Sequence, residues 1–261
     1  MLVSYWWRSK MNVGDMMGPY VLHHMSGKQV QHIDDLLFVK GRTDVFVSVG
    51  SIIQQINFPR PVIWGSGIID PSRVPVLTDP KIYAVRGPLT RRALLKSGYR
   101  CPDQYGDPAL LISRFFEKPT ERPLGGTNER VGIVLHYSDH AMIEDLGGYS
   151  GVNFIGVEQN VLSFLNEVST CDVVASSSLH GIITAHSFGI PAVWLRSIGN
   201  KKGGDFKYKD YMSSIGAEVK YIDLEKDLTM AELVHCYEKV LIEPPCQLFV
   251  DQLEESFPMV S

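Results

Sequence analysis

Short apolar runs alternate along the chain with longer amphipathic segments. The runs lie at 2–7, 45–51, 61–67, 82–86, 131–136, 152–157, 173–178 and 191–195, and several of them end in small or polar residues. Such runs are typical of parallel strands that are buried on both faces. The amphipathic segments predict helices at 16–25, 88–96, 158–170, 230–241 and 247–257, and one more between the serines at 176–178 and Gly189. The pattern therefore predicts an α/β protein.

A single polar stretch interrupts this alternation. Residues 117–130 (EKPTERPLGGTNER) are rich in Pro and Gly and show no periodicity, which indicates a linker. The alternation restarts after it, so the sequence predicts two Rossmann-like domains that face a cleft, at 1–118 and 128–246. We expect the remaining segment, 247–261, to pack back on the first domain.

Composition narrows the class of protein. The 261 residues are 44% hydrophobic and carry a formal net charge of −4, without the excess of Lys and Arg that is typical of nucleic-acid binders. No apolar run approaches the roughly 20 residues that span a bilayer. The first residues lack the basic region of a secretion signal, so we expect a cytoplasmic protein. The scattered cysteines predict free thiols and no cysteine-based metal site (Cys101, Cys171, Cys236, Cys246).

The stretch 173–191 carries the first candidate site. An apolar strand runs into three serines, and Ser177 or Ser178 is placed to cap the helix that follows. The free N–H groups and the positive dipole end of such a helix suit an anion. His180 in the first turn would give or take a proton near neutral pH. A capped helix with a structural histidine is the alternative.

Further candidates lie at the ends of other predicted strands. Arg86 presents a planar fork that suits a carboxylate or phosphate, with a structural ion pair as the alternative. In the turn at 12–15 (NVGD), Gly14 would allow a ligand to approach closely, and Asp15 would cap a helix or accept a ligand hydroxyl. Asp107 precedes a proline in another turn. The chain has no G-x-G-x-x-G after its first strand and no P-loop, which argues against dinucleotide oxidoreductases and NTPases.

Taken in order, five motifs resemble those of the polysaccharide pyruvyl transferase family, notably its exopolysaccharide ketal-pyruvate transferase branch. They are 12–15 (NVGD), 85–90 (VRGPLT), 105–109 (YGDPA), 176–181 (SSSLHG) and 189–191 (GIP). The resemblance implies a GT-B-like arrangement of the two domains, with phosphoenolpyruvate (PEP) as donor. Such enzymes place a pyruvate ketal across two hydroxyls of a sugar and release phosphate. No cofactor and no metal are expected.

The resemblance also places the donor site. Family members hold PEP with arginines and with a short Arg-Leu-His element. Leu179 and His180 match the last two residues of that element, and Ser178 stands at the position of its arginine. Arg86 matches another family arginine by its motif. The PEP site expected on this basis consists of Arg86, Ser176, Ser177, Ser178, Leu179 and His180.

The rest of the cleft is expected to serve the acceptor, with the first domain as the acceptor side and the second as the donor side. Its candidate residues are Asn12, Gly14, Asp15, Asp107, His136 and Lys207. His136 or Lys207 would add positive charge for the donor. His180 is the expected acid. Asp15 or Asp107 would orient or deprotonate an acceptor hydroxyl, and of the two Asp15 is the expected catalytic residue. For both aspartates a structural cap or turn is the alternative.

Three functions remain open at this point. The first is pyruvyl transfer to a sugar of a capsular or exopolysaccharide repeat, with a lipid-linked acceptor and a location at the inner face of the membrane as options. The second is a GT-B-type glycosyltransferase with a nucleotide-sugar donor, since a helix N-terminus would also hold its pyrophosphate. The third is a non-catalytic module that binds a sugar or an anion. No nucleic-acid partner is expected.

Overall fold

The computed structural model describes residues 1–36, 43–73, 75–118, 130–142, 152–197, 204–224, 232–233 and 236–259, with the backbone alone at 140–142. All candidate site residues fall in these ranges. The core of the predicted linker, at 119–129, lies outside the described residues, as do residues 230, 231, 234 and 235 of the helix predicted at 230–241.

The first half of the chain builds a parallel sheet of five strands. They are β1 (Leu2–Ser4), β2 (Val30–His32), β3 (Val45–Val47), β4 (Pro61–Trp64) and β5 (Lys81–Ala84), in the order β2-β1-β3-β4-β5. Helix α1 (Val13–Ser26) joins β1 to β2, and α2 (Pro88–Lys96) follows β5. Short 3-10 helices lie at Ile33–Asp35 and Ile53–Gln55, and a longer one at Pro108–Phe115 ends this half.

The second half builds another parallel sheet of five strands. They are β6 (Val131–Val134), β7 (Val152–Phe154), β8 (Val173–Ser176), β9 (Ala192–Ser197) and β10 (Ile222–Leu224), in the order β10-β9-β8-β6-β7. Its helices are α3 (Val161–Ser169), α4 (Leu179–Ser187) and α5 (Phe206–Ser214), with 3-10 helices at Tyr137–Met142 and Tyr237–Val240. Two parallel sheets with interleaved helices confirm the predicted α/β, double Rossmann-like, GT-B-like class.

Both sheets have the same strand order. Numbered within its own half, each reads 2-1-3-4-5, so the direction of winding reverses between β1 and β3 in the first sheet and between β6 and β8 in the second. In open α/β sheets, ligands bind outside the carboxyl ends of the strands at such a reversal. The fold therefore offers two equivalent ligand positions, one in each half.

The two halves pack against each other. One hydrophobic cluster contains Val13 and Met17 from α1 together with Leu179 and Ile182 from α4. The Thr184 hydroxyl of α4 contacts the Met17 sulfur at 3.7 Å. The carboxyl edges of both sheets thus face a common interface.

The last helix, α6 (Gln247–Glu255), lies against the first sheet. The indole N–H of Trp64 points at the carbonyl oxygen of Leu253 (3.3 Å) and at the hydroxyl oxygen of Ser256 (3.0 Å). Arg114 forms ion pairs with Asp251 and Glu254 of this helix. Among the described residues, no helix has the length and apolar character needed to cross a bilayer.

The start of α1 differs from its prediction. The helix begins at Val13, three residues earlier than expected, because the Asn12 side-chain oxygen accepts a hydrogen bond from the Gly14 N–H at 3.1 Å and so caps the helix. Asp15 is therefore not the cap and lies inside the first turn. The predicted end is correct, since Gly27 terminates the helix in a left-handed conformation (φ 65°). Strand β2 was not predicted, because Val30–His32 has only one strongly apolar residue.

Candidate active site

Two helix N-termini meet where the halves of the chain touch. The first turn of α1 follows β1, and the first turn of α4 follows β8, so each lies at the reversal point of its own sheet. The contact joins Gly14 of α1 to His180 of α4. The N-terminus of a helix carries partial positive charge, so two of them at one place favour a bound anion. In α1 this effect comes from the helix dipole, because its first N–H groups are bonded to Val157 and Asn12.

Gly14 makes room for the imidazole of His180. A Cβ atom at position 14 would lie 2.1 Å from Nδ1 and 2.6 Å from Cγ of His180, well inside the contact distance. The close approach that the sequence suggested for Gly14 is thus an approach to this side chain. It fixes the ring against the first turn of α1, one residue from Asp15.

His180 and Asp107 leave two polar atoms unsatisfied. Among the residues that the structure describes, the buried side-chain nitrogen and oxygen atoms without a hydrogen-bond partner are His180 Nε2 and Asp107 Oδ2. They face each other at 3.8 Å. A buried polar atom without a partner costs about 1–3 kcal/mol, so such a pair indicates a functional position rather than a stabilising one.

The Asp107 carboxyl group is held in place by its other oxygen. Oδ1 accepts a hydrogen bond from the Ala109 N–H at 3.1 Å and caps the 3-10 helix, as the structural alternative for this residue expected. Burial raises the pKa of Asp107 to about 7, against the opposing effects of the Ala109 hydrogen bond and the Arg86 charge. The carboxyl group is therefore favoured in its protonated form up to near neutral pH, with Oδ2 as the oxygen that faces His180.

The environment of His180 keeps it neutral in the ligand-free protein. Only 14% of its side chain is exposed. Burial, followed by the positive charges of Lys207 and Arg86 and by His136, lowers the pKa of His180 to about 3. A bound dianion would oppose these effects, because a negative charge nearby favours the imidazolium.

Asp15 completes a set of three perturbed titratable groups. Burial raises its pKa to about 7, and the charge of Lys207 and a hydrogen bond from Asn12 partly offset that rise. A Cβ atom on Gly50, after β3, would lie 3.7 Å from Oδ1 of Asp15. Groups whose pKa values are strongly shifted by burial and by specific partners are typical of functional sites.

Arg86 forms a structural ion pair, which is the alternative that the sequence analysis gave for this residue. Its side chain is fully buried, and it donates from Nε to Asp210 Oδ2 at 3.1 Å, from one terminal nitrogen to the Ile68 carbonyl at 3.0 Å, and from the other to the Ser51 hydroxyl. Asp210 lies in α5, so this ion pair joins the two halves. The same carboxylate accepts hydrogen bonds from both the N–H and the hydroxyl of Thr90 at the start of α2.

The three serines at 176–178 are held within the second half. Ser177 donates to Asp139 Oδ2 at 2.6 Å and accepts from the His136 N–H at 2.9 Å. Ser176 lies 2.8 Å from the Val134 carbonyl oxygen and accepts from the Ser178 N–H at 3.0 Å. The prediction that Ser177 or Ser178 caps α4 is correct for the position, which is Ser178, and wrong for the side-chain hydrogen bond. Ser178 occupies the N-cap position without a side-chain cap, and the Ser177 hydroxyl is committed to Asp139.

The remaining candidates occupy the border of the site. Lys207 lies in the first turn of α5, and its positive charge acts on both Asp15 and His180. His136 follows β6, with its Nδ1 at 2.9 Å from the Ser138 hydroxyl. Leu179 is buried in the shared hydrophobic cluster.

Sequence reasoning did not identify Asp210 or Ser51, the two side chains that bind Arg86. Asp210 sits in a helix without a motif, and it is 124 positions from its partner. Ser51 belongs to one of the Gly/Ser strand ends that the hydrophobic pattern did single out. That signal marked the right edge of the sheet without naming the residue.

Comparisons with known proteins identify a family and a relative of the chain. The model of the polysaccharide pyruvyl transferase family matches residues 34–198 of the chain, which include Arg86, Asp107 and His180. An uncharacterized protein of Acanthamoeba polyphaga mimivirus is 33% identical over 182 residues, which cover 66% of this chain and 61% of that relative. The chain thus spans less than two thirds of the length of the curated relative it matches.

Proposed function

The chain belongs to the polysaccharide pyruvyl transferase family, and from this premise we propose that it transfers pyruvate from PEP to a sugar. The acceptor in this proposal is a residue of a capsular or exopolysaccharide repeat, free or lipid-linked. The products are a pyruvate ketal on two sugar hydroxyls and inorganic phosphate.

One observation carries the proposal. His180 and Asp107 hold two unsatisfied buried atoms 3.8 Å apart, beside the meeting point of two helix N-termini. PEP needs both parts of this arrangement, since its carboxylate and phosphate suit positive helix ends and its enol carbon must be protonated. Lys207 supplies a further cation at the same place.

Arg86 has an indirect part in this proposal. Because its guanidinium is bound by Asp210, Ser51 and the Ile68 carbonyl, it acts on the donor through its charge and by fixing the interface. Direct contact with PEP would require the pair with Asp210 to open. The serines at 176–178 shape the start of α4 and do not bind the donor directly in this proposal, since the Ser176 and Ser177 hydroxyls and the Ser177 and Ser178 N–H groups are committed to other groups.

The proposed chemistry balances without an oxidant or a metal. The C3 methylene of PEP takes a proton delivered by His180, and the resulting cationic C2 is attacked by the first sugar hydroxyl, whose proton passes to a base such as Asp15. Phosphate then leaves from C2, and the second hydroxyl attacks the same carbon. The two sugar hydroxyls lose two hydrogens in total. One is balanced by the hydrogen added to the new methyl group, and the other leaves with phosphate.

Turnover with PEP tests the proposal. The protein is incubated with PEP and a panel of glycans and lipid-linked oligosaccharides, and phosphate release and a pyruvate-mass adduct are measured together. His180→Gln should lower turnover about 100-fold or more, because a lost acid–base group costs 10²–10⁴. His24→Gln, an exposed change in α1, is the matched control and should keep the full rate.

Three outcomes would contradict the proposal. A wild-type rate in His180→Gln would remove His180 as the group that delivers the proton. Thermal stabilisation by nucleotide sugars, without stabilisation by PEP, would favour the glycosyltransferase alternative. Tight binding of PEP or sugar without any product would favour a binding module.

A further inference from the structure

His180 and Asp107 occupy complementary positions for moving a proton. Nε2 of the imidazole faces Oδ2 of the carboxyl group at 3.8 Å, and within the described part of the chain neither atom has a partner at hydrogen-bond distance. The backbone N–H of Gly50 also acts on the Asp107 carboxyl group. A shift of about 1 Å would bring Nε2 and Oδ2 to ordinary hydrogen-bond distance. Catalytic hydrogen bonds are often long in ligand-free structures and shorten only when the substrate binds.

The two ring nitrogens of His180 have different surroundings. Nε2 is the buried nitrogen that faces Asp107, whereas Nδ1 lies over Gly14 in the first turn of α1, next to Asp15. Since the helix N-termini meet on that side, Nδ1 is the nitrogen that a ligand between them would reach. In this geometry Nε2 faces the Asp107 carboxyl group, and Nδ1 faces the place where a ligand would bind.

We propose that Asp107 is the positioning residue behind His180, that it stores the proton used in the reaction, and that the imidazole relays this proton from Nε2 to Nδ1. In the resting state the Asp107 O–H donates to Nε2, and Nδ1 carries a hydrogen. As the Nδ1–H bond breaks toward the substrate, the Asp107 O–H bond breaks and an Nε2–H bond forms. Asp107 ends as a carboxylate and His180 as the neutral Nε2–H tautomer.

The relay also resets itself. When the first sugar hydroxyl attacks, its proton returns through Nδ1, either directly or from Asp15, and the Nε2 hydrogen goes back to Asp107. No imidazolium accumulates in either direction. This resolves a difficulty of the site, because burial and the charges of Lys207 and Arg86 oppose a positive ring.

The groups around the ring are consistent with proton storage on Asp107. The 3-10 helix contributes Asp107, α1 contributes Asp15, α5 contributes Lys207 and Asp210, and Arg86 and His136 follow β5 and β6. Burial raises the pKa of Asp107 to about 7, so this carboxyl group can hold a proton at the pH at which the ring is neutral. The Ala109 N–H bond to Oδ1 leaves Oδ2 as the oxygen that exchanges the proton.

The tautomer of His180 tests the proposal without any turnover. Two-bond ¹H–¹⁵N correlation spectra of the full chain are recorded between pH 5 and 9, with His180 assigned by the signal lost in His180→Gln. We expect the Nδ1–H tautomer at low pH and the Nε2–H tautomer at high pH, with the change near pH 7 and no imidazolium. In Asp107→Asn, which keeps an oxygen for the Ala109 N–H, the ring should hold one tautomer throughout.

The relay would be overturned if wild-type His180 keeps one tautomer over this range, if it titrates to an imidazolium near pH 6.5, or if folded Asp107→Asn still shows the change. The wild-type spectra decide the matter even if that variant does not fold. The relay depends on the proposed pyruvyl transfer in one respect only, which is the identity of the carbon that receives the proton. A correct tautomer change without PEP turnover would therefore reject the proposed function and leave the relay intact.

With an active acceptor, kinetics provide a second readout. Asp107→Asn should lower kcat about 100-fold, in the range of a lost acid–base group, and leave the KM for PEP within a few-fold. It should also remove the fall in kcat that the loss of the stored proton causes above pH 7. An equal loss in kcat with an unchanged pH profile would indicate a purely structural role and overturn the proposal.

Discussion

Gly14 lies directly against the imidazole of His180, so the first turn of α1 and the first turn of α4 determine each other's position. A Cβ atom at residue 14 would come within 2.1 Å of Nδ1. One hydrogen atom on the backbone of the first half thus decides where the reactive side chain of the second half can sit.

Gly14→Ala should therefore displace His180. We expect a loss of roughly 100-fold in turnover, the typical cost of misplacing a reactive group by about 1 Å. Overpacking should also lower the free energy of unfolding by about 1–3 kcal/mol. Gly18→Ala is the control in the same helix, because a Cβ there would meet no atom closer than the Ser48 hydroxyl, at 3.3 Å. Equal activity of the two variants would show that the Gly14 contact does not control the ring.

Asp210→Asn should destabilise the protein strongly. The change leaves the buried Arg86 guanidinium without its counter-charge, which costs about 3–5 kcal/mol when one partner of a buried pair is removed. Asp44→Asn is the control, since Asp44 pairs with Arg60 and Lys81 at the surface and exposed pairs contribute about 0–1 kcal/mol. Urea unfolding measures both. A loss in Asp210→Asn no larger than in the control would contradict the importance of the buried pair.

Asp107→Asn should become more stable relative to the wild type as the pH rises. The folded carboxyl group keeps its proton up to about pH 7, whereas the unfolded one loses it near 3.8, so the folded state binds more protons between these values. Wild-type stability from this group is therefore lost with rising pH over that window, at no more than about 1.4 kcal/mol per pH unit. The uncharged variant does not share this loss.

Unfolding free energies of both proteins at pH 4.5, 5.5, 6.5 and 8 check this linkage. The difference between variant and wild type should change in favour of the variant up to about pH 7 and then stay constant. A difference that is independent of pH would show that the pKa of Asp107 is not raised by folding.

Lys207→Met should weaken the binding of PEP while leaving the fold intact. Lys207 is the cation whose charge acts on both Asp15 and His180, and a dianionic donor there would lose a charged partner. We expect a Kd about 10-fold higher, since each 1.4 kcal/mol of lost attraction is tenfold. Lys209→Met, on the same helix and paired with Asp205, is the control. Isothermal titration with PEP compares them, and equal affinities would place the donor elsewhere.

The fold was largely predictable because its signals are local. The apolar run before Ser176 predicts a strand, and the glycine after α1 predicts the end of a helix. Each prediction needs only a few neighbouring residues, so both elements were assigned correctly. The start of α1 was predicted wrongly because two residues three positions apart, Asn12 and Asp15, both have side chains that make good caps. Only the actual hydrogen bond to the Gly14 N–H decides between them.

The sequence predicted which residues belong to the site, but it did not predict which of them contact each other. Local motifs marked Arg86, Asp107 and His180, but what each does depends on contacts between distant segments. Arg86 meets Asp210 124 positions away, and Asp107 meets His180 across the interface of the two halves. Burial, which raises one pKa and lowers the other, follows from those contacts and has no signature in a single sequence.

The place of α6 has a consequence for how the chain is made. This helix covers Trp64 of the first sheet, yet it is translated after the whole second half. Until α6 is made, the first half lacks the cover that this helix gives to Trp64. The N-terminal half by itself is therefore a poor candidate for a stable fragment.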